Sequence, residues 1–176
     1  AGELSGDRLG ADLMQALRVR RPDVSFTGVG GPAMRRRGLA CVADFERLGV
    51  NGFADPVRRL PDLLALLRTV LRDGVAFRPH AFVGVDFNVF NGILERLLKA
   101  RGVRTAHYVS PSVYAWRRGR ADAMHRAADL LLALFPFEPP FYAGRPLTVR
   151  YVGHPLADEI ERPVDRAGAR TRLALP

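Results

Sequence analysis

Short apolar runs alternate with amphipathic segments along this 176-residue chain, and that alternation constrains its fold more than any other feature. The clearest run, residues 81–85, carries no polar side chain, as is typical of a strand buried on both faces of a parallel sheet. Residues 56–76 instead place leucines at helical spacing. Since parallel strands need long crossover connections, the pattern predicts an open, mostly parallel α/β sheet with helices on both faces. The predicted strands are residues 24–29, 39–43, 81–85, 105–109, 130–134 and 147–152.

The first predicted loop, residues 1–7, runs into a helix and has no strand before it. Because the first loop of such a sheet normally follows a buried central strand, we expect the sequence to begin just after that strand. Residues 1–152 are then expected to form one domain that lacks its first strand. Residues 153–176 are expected to form a linker and the start of a second domain, because a polar stretch at 162–168 precedes a helical pattern at 169–175.

The formal net charge of +9 comes almost entirely from arginine, since Lys99 is the only lysine. Two explanations stay open: attraction to an anionic partner, such as a membrane surface or a phosphorylated substrate, and a coding bias towards arginine. No apolar run reaches the roughly 20 residues that span a bilayer. The leucines of residues 56–76 face either the core or acyl chains at a membrane surface. Cys41 and the four histidines show no metal-ligand spacing, so no metal and no cofactor are predicted.

A polar loop at residues 110–118 follows a predicted strand and leads into a helix. Ligands of open α/β sheets bind beyond the carboxyl ends of the strands, so this loop is a candidate site. Ser110 and Ser112 offer hydroxyl groups, Trp116 offers a flat aromatic face, and Arg117 offers a guanidinium that binds phosphate through two hydrogen bonds. That set suits a sugar that carries a phosphate. An ordinary connecting loop with Trp116 in the core is the alternative.

Other loops are predicted to meet at the same edge of the sheet, because the carboxyl ends of parallel strands lie together. Ser5 or Asp7 is expected to cap the first helix, whose start is also a potential anion site. Asp86 ends a buried strand, and capping of the next helix is the structural alternative to a functional role there. The loops expected at this edge are residues 5–7, 30–34, 86–91, 110–118, 136–138 and 153–155.

These loops, in this order, resemble those of the lipid-A-disaccharide synthase family. The resemblance covers the whole chain, which would correspond to roughly the first half of such an enzyme, and several of the matching motifs are long and unusual. The matching segments are Ala-Gly-Glu-Leu-Ser-Gly-Asp (1–7), Gly-Val-Gly-Gly-Pro-Ala-Met (28–34), Phe-Val-Gly-Val-Asp (82–86), Phe-Asn (90–91), His-Tyr-Val-Ser-Pro-Ser-Val-Tyr-Ala-Trp-Arg (107–117), Leu-Phe-Pro-Phe-Glu (134–138) and Val-Gly-His-Pro-Leu-Ala-Asp (152–158).

The resemblance implies a glycosyltransferase with two Rossmann-like domains, the GT-B type, that requires no metal. Such an enzyme joins UDP-2,3-diacylglucosamine to 2,3-diacylglucosamine 1-phosphate through a β-1′,6 bond, with inversion and release of UDP. It serves lipid A biosynthesis in Gram-negative bacteria as a peripheral protein on the cytoplasmic face of the inner membrane. Its first domain mainly holds the acceptor and its second mainly holds the nucleotide, so this half alone is expected to be inactive.

Inversion requires a general base that takes the proton from the attacking acceptor hydroxyl. Members of the family commonly carry Asp-x-Pro-Asp-Phe-Asn, and the matching run here is Asp-Phe-Asn-Val-Phe-Asn at residues 86–91. Val89 therefore stands where the favoured base is usual, and a valine side chain cannot take a proton. Asp86 and Glu3 remain as candidates for the base, with helix capping or loop bracing as the structural alternative for each.

The same resemblance identifies residues that are expected to bind substrate. They are Ser5, Gly6, Asp7, Gly30, Gly31, Met34, Asn91, Ser110, Ser112, Trp116, Arg117, Glu138 and His154. Two other functions stay open: a related UDP-sugar enzyme, such as an epimerase, and a non-catalytic module that binds anionic membranes or RNA through basic side chains. No RNA-binding motif is present, so nucleic acid is not predicted as a partner.

Overall fold

A computed structural model of the chain describes residues 1–43, 60–86, 88–112, 119–160 and 165–175. Helices and strands alternate along these ranges, as the hydrophobic pattern predicts. A short 3-10 helix, Pro139–Tyr142, lies between the last two strands. The other elements are α1 Leu4–Arg20, β1 Phe26–Gly28, α2 Pro32–Arg36, β2 Leu39–Cys41, α3 Leu60–Phe77, β3 Ala81–Val85, α4 Asn88–Lys99, β4 Arg104–Tyr108, α5 Gly119–Ala127, β5 Leu130–Ala133, β6 Thr148–Tyr151, α6 Leu156–Glu159 and α7 Arg166–Arg172.

Four parallel strands form the main sheet in the order β3-β4-β5-β6. Gly84 pairs with His107 across β3 and β4, and Tyr108 pairs with Leu132 across β4 and β5. Strands β1 and β2 form a separate parallel pair. Each of the six predicted strands is present, with ends that differ from the sequence prediction by at most two residues, which confirms the α/β class.

Strand β3 shows that helices cover both faces of the sheet. Phe82 packs on one face against the buried leucines Leu94 and Leu98 of α4. Val85 packs in a second cluster that includes Leu9 of α1. Because successive side chains of a strand point to opposite faces, α4 and α1 lie on opposite sides of β3. Burial of each large apolar side chain contributes roughly 1.5–3 kcal/mol to stability, so both faces are needed for the fold.

Helix α3 bears on one of the alternatives left by the sequence. Its Leu66 and Val70 are buried against Leu94 and Leu98 of α4, so this part of its apolar surface belongs to the core, whereas Leu64 is 41 % exposed. The helix begins at Leu60, and residues 56–59 of the prediction lie outside the described residues. None of the helices in the described ranges is long and apolar enough to cross a bilayer.

Three helix starts differ from the sequence prediction. Helix α1 begins at Leu4, so residues 5–7, which were predicted to belong to a loop, form part of its first turns. Helix α7 begins at Arg166, inside the stretch predicted to be a linker, because the Asp165 side chain accepts a 2.8 Å hydrogen bond from the Gly168 amide and caps the helix. Helix α4 begins at Asn88 rather than near Asn91. The division at residue 152 stays a prediction.

A cavity of about 680 Å³ separates the two sheets. Phe26 and Val29 line it from the β1 side, and Phe82 and Val83 line it from the β3 side. No hydrogen-bonded ladder joins β1 to β3 within the described residues. The amino group of Ala1 lies at this gap, 2.8 Å from the Val29 carbonyl, and its burial lowers its pKa to about 6. The space runs beside the strands rather than beyond their carboxyl ends.

An apolar six-residue extension placed before Ala1 is predicted to enter this cavity and stabilise the chain. It would bury several apolar side chains, and we expect this gain to exceed the cost of ordering the backbone of the extension. We expect the melting temperature to rise by roughly 3–10 °C, measured by circular dichroism. A glycine-serine extension of equal length is the control. An equal melting temperature for both extensions would contradict the prediction.

Candidate active site

The predicted loops meet at the carboxyl edge of the main sheet. Helix α1 begins against β3: a Cβ added to Gly6 would lie 3.4 Å from the Val85 carbonyl oxygen and 3.5 Å from the Asp86 Cβ. On the far side, the ring of Phe135, after β5, lies 6.4 Å from the ring of His154, after β6. An ion pair between Arg8 and Glu159 connects α1 to α6. The described parts of the strand-end loops therefore lie together at one edge of the sheet, as the sequence predicted, and we call them the ring of loops.

Asp86 follows the last residue of β3 and has an unusual backbone conformation. Its φ of +50° is left-handed, which costs a residue with a side chain roughly 1–3 kcal/mol, although aspartate tolerates it better than most. Its amide donates a 2.9 Å hydrogen bond to the Tyr108 carbonyl. The Asn91 side-chain amide donates to the Asp86 carbonyl at 2.6 Å and to the Val85 carbonyl at 3.2 Å. These bonds fix a half-buried carboxylate at the tip of β3.

Asp7 is buried and acts as a cap for α2 rather than for α1. Its carboxylate accepts hydrogen bonds from the amides of Gly31 at 2.8 Å, Ala33 at 2.8 Å and Met34 at 3.1 Å. The expectation that Ser5 or Asp7 caps α1 is wrong, since the N-cap residue is Glu3 and no side chain caps that end. A Cβ on Gly31 would lie 2.6 Å from the Asp7 carboxylate, so the glycine makes room for this contact.

Gly30, in the loop after β1, packs closely against Met34 of α2. A Cβ on Gly30 would lie 2.7 Å from both the Met34 sulfur and a methyl group of Leu39. Met34 itself is buried against Met14 of α1. The glycine-rich loop after β1 therefore has a structural reason for its composition, while its predicted role in substrate binding stays a prediction.

Ser110 and Glu138 form a buried polar cluster that ties the loop after β4 to the loop after β5. The Ser110 hydroxyl lies 2.7 Å from the Tyr142 hydroxyl, and the Glu138 carboxylate accepts a 2.9 Å hydrogen bond from the Phe135 amide. Burial raises the pKa of Glu138, and hydrogen bonds from backbone amides and from Ser110 oppose that shift. Sequence reasoning missed Tyr142, whose hydroxyl completes this cluster.

The surface of the ring combines polar and apolar side chains. Glu3, Ser5 and Ser112 are exposed, while His154 is half-buried and accepts a 3.2 Å hydrogen bond from the Leu156 amide. Leu4 is 71 % exposed and Val89 is 77 % exposed, both in the first turns of helices that begin at this edge. Trp116 and Arg117 lie outside the described residues. Within the described ranges, no three His, Cys, Asp or Glu side chains lie close enough together to hold a metal ion.

Replacing Asp7 by asparagine is predicted to destabilise the chain. The amide side chain loses the charge and can accept at only one atom, which leaves a buried α2 amide without its partner. We expect the free energy of unfolding to fall by about 1–3 kcal/mol in urea titrations. The exposed neighbour Ser5→Ala is the matched control and should change it by less than about 0.5 kcal/mol. Equal stability of the two variants would show that the cap contributes nothing.

Comparison with known proteins places these loops in one family. The family model described as lipid-A-disaccharide synthetase matches residues 1–176. The lipid-A-disaccharide synthase of Azotobacter vinelandii is 51 % identical over 175 residues, covering 99 % of this chain and 46 % of that protein. The synthase of Pseudomonas aeruginosa PAO1 is 50 % identical over 176 residues, covering 100 % of this chain and 47 % of that protein.

The synthase of Xanthomonas campestris pv. campestris is 52 % identical over 176 residues, covering 99 % of this chain and 40 % of that protein. The chain thus spans about half the length, or less, of the curated relatives that it matches. Identity near 50 % over the whole chain and a family model that covers every residue agree with the α/β fold and with the ring of loops. The chain belongs to the lipid-A-disaccharide synthase family.

Proposed function

We propose that this chain supplies the acceptor-binding half of an inverting glycosyltransferase of lipid A biosynthesis. The reaction condenses UDP-2,3-diacylglucosamine with 2,3-diacylglucosamine 1-phosphate and yields the β-1′,6-linked disaccharide 1-phosphate and UDP. The observation that carries the proposal is the identity of about half of all residues with proteins named lipid-A-disaccharide synthase, over the full length of this chain.

The composition of the ring supports an acceptor that combines a sugar, a phosphate and acyl chains. Exposed Glu3, Ser5 and Ser112 offer hydrogen bonds to sugar hydroxyls. Leu4 and Val89 offer apolar surface to acyl chains. Arg117, from the matched family motif, is proposed to bind the phosphate, and the net charge of +9 attracts such an anion.

The catalytic step needs a base for the acceptor hydroxyl, and we assign that role to Asp86. Asp86 is half-buried at the carboxyl end of β3, and its backbone is fixed by Asn91 and Tyr108. A carboxylate carried by a fixed backbone can be aligned with an attacking hydroxyl at a reduced entropic cost. Glu3 is exposed and is the second candidate. Stabilisation of the departing diphosphate is assigned to the nucleotide-binding half.

We place the protein peripherally on the cytoplasmic face of the inner membrane, where an acceptor with two acyl chains resides. Phe135 and Phe137 stack with their ring centres 5.4 Å apart and are 43 % and 48 % exposed. Such exposed apolar surface beside the ring, together with the positive charge of the chain, favours contact with an anionic bilayer.

A chimera tests the function directly. The segment of the Pseudomonas aeruginosa synthase that matches this chain is replaced by residues 1–176, and disaccharide 1-phosphate formation from the two lipid substrates is measured. The proposal predicts turnover that requires both substrates, and no turnover by the isolated chain. A folded chimera that forms no disaccharide, or that converts the UDP-sugar without an acceptor, would contradict it.

Val89→Asp in that chimera separates Asp86 from the family's usual base position. With Asp86 as the base, kcat should stay within about threefold of the parent value, whereas a rise of at least roughly 10²-fold would show that Val89 is a lesion at the position of the base. Val89→Asn matches the size and polarity of the new side chain without its basicity and should give no comparable gain. An unchanged or lower kcat for Val89→Asp would show that another carboxylate is the general base.

Asp86→Asn in the chimera is predicted to lower kcat by about 10²–10⁴-fold while stability is retained. Asparagine also tolerates the left-handed backbone and keeps the carbonyl that Asn91 binds, so the substitution isolates the carboxylate. Glu3→Gln is the matched comparison and should leave kcat within about threefold. A larger loss for Glu3→Gln than for Asp86→Asn would transfer the role of base to Glu3.

A further inference from the structure

A carboxylate and an imidazole lie entirely inside the core, beneath Asp86. Glu95 belongs to α4 and His107 to β4, both side chains are 0 % exposed, and the Glu95 Oε1 lies 2.7 Å from the His107 Nδ1. Leu94 and Leu98 of the same helix are almost fully buried, so the pair lies in an apolar environment. Ionic or polar groups in such a place are usually no more stabilising than apolar residues of the same size. Stability alone therefore does not account for the pair.

Gly84 of β3 makes the contact between α4 and β4 geometrically possible. A Cβ at Gly84 would lie 2.1 Å from the Glu95 Oε1, so any other residue would displace the carboxylate. Gly84 pairs with His107 in the sheet, and Glu95 therefore reaches over β3 to its neighbour. A glycine inside a buried strand commonly marks such a close approach.

The second oxygen of Glu95 indicates that this arrangement is not optimised for stability. Among the described residues, Glu95 Oε2 is buried without a hydrogen-bond partner. Burial raises the pKa of Glu95, while the interaction with His107 and a hydrogen bond from the Gly84 backbone act in the opposite direction. A buried oxygen without a partner is costly and calls for an explanation in a native fold.

Asn91 links the pair to the candidate active site. It lies one helical turn before Glu95, on the same side of α4, and a Cβ at Gly84 would lie 3.0 Å from the Asn91 Cβ. The Asn91 side chain binds the carbonyls of Val85 and Asp86. Apolar packing has no preferred direction, whereas hydrogen bonds do. Two directional contacts one turn apart thus set both the rotation and the axial position of α4 against β3.

We propose that Glu95 and His107 form a positioning pair for Asp86. The pair holds α4 where the Asn91 amide fixes the left-handed turn of Asp86, and so it aims the Asp86 carboxylate without touching substrate. This inference deepens the proposed function and rests on it, because Asp86 is the base only in that reaction.

The test replaces both partners at once in the chimera, as Glu95→Met with His107→Leu. Because the apolar pair keeps the core filled, the melting temperature should be retained or higher. We expect kcat to fall by about 10-fold to 100-fold with KM for both substrates changed less than about twofold, as for a misaligned catalytic group. Glu95→Gln, which can still bind His107, should retain kcat within about threefold.

Leu98→Ala is the matched control for simple destabilisation of α4. It removes buried apolar volume from the same helix without touching the polar contacts, so it should lower the melting temperature while leaving kcat per folded molecule unchanged. An equal loss of kcat in Leu98→Ala and in the double variant would overturn the proposal. A double variant with parental kcat, or one that fails to fold, would overturn it as well.

A second readout needs no turnover and separates this inference from the proposed function. Hydrogen exchange of the Asn91 side-chain amide is followed by NMR in the chain itself. The double variant should accelerate this exchange by at least about tenfold, because the bond to the Asp86 carbonyl is loosened. Unchanged exchange refutes the positioning role even if the chimera is active. Accelerated exchange in the chain, combined with a chimera that has no transferase activity, would refute only the proposed reaction and not the positioning role.

Discussion

The two hydrogen bonds from Asn91 to the end of β3 are the contacts on which the candidate site depends. They hold the carbonyls of Val85 and Asp86 and so stabilise a left-handed residue at the point where strand becomes loop. Without them, the backbone strain of Asp86, roughly 1–3 kcal/mol, would not be offset. The start of α1 packs against the same turn at Gly6, so the position of one residue influences two loops of the ring.

Buried polar residues connect the loops of the ring, and exposed residues are available to contact a ligand. Asp7 holds the loop after β1, and the contact between Ser110 and Tyr142 joins the loops after β4 and β5. Each desolvated polar group is costly unless it finds a partner, and these groups find theirs in the backbone or in one another. Ser110, Asp7 and Glu138 therefore shape the edge, whereas Ser112 and Glu3 remain accessible to substrate.

The sequence predicted the fold well because its strongest signals are local. An uninterrupted apolar run such as residues 81–85 forms a strand almost regardless of context, although only its last two residues are buried here, and polar residues after it lie at the carboxyl edge. The partner of Asp7 lies 24 residues away and could not be deduced from helix-cap patterns. Glu95 carried no signal of its own in an amphipathic helix. Gly84, a glycine in a buried strand, was the available hint that a side chain approaches the sheet there.

The central claim is that a phosphorylated, acylated sugar binds within the ring of strand-end loops. It is tested most directly by titrating the isotope-labelled chain with a short-chain 2,3-diacylglucosamine 1-phosphate and following backbone amide shifts by NMR. The account predicts that the largest changes occur at Asp86, Ser112 and His154. Changes confined to the cavity between β1 and β3, or to the amino ends of the strands near Arg104, would contradict it.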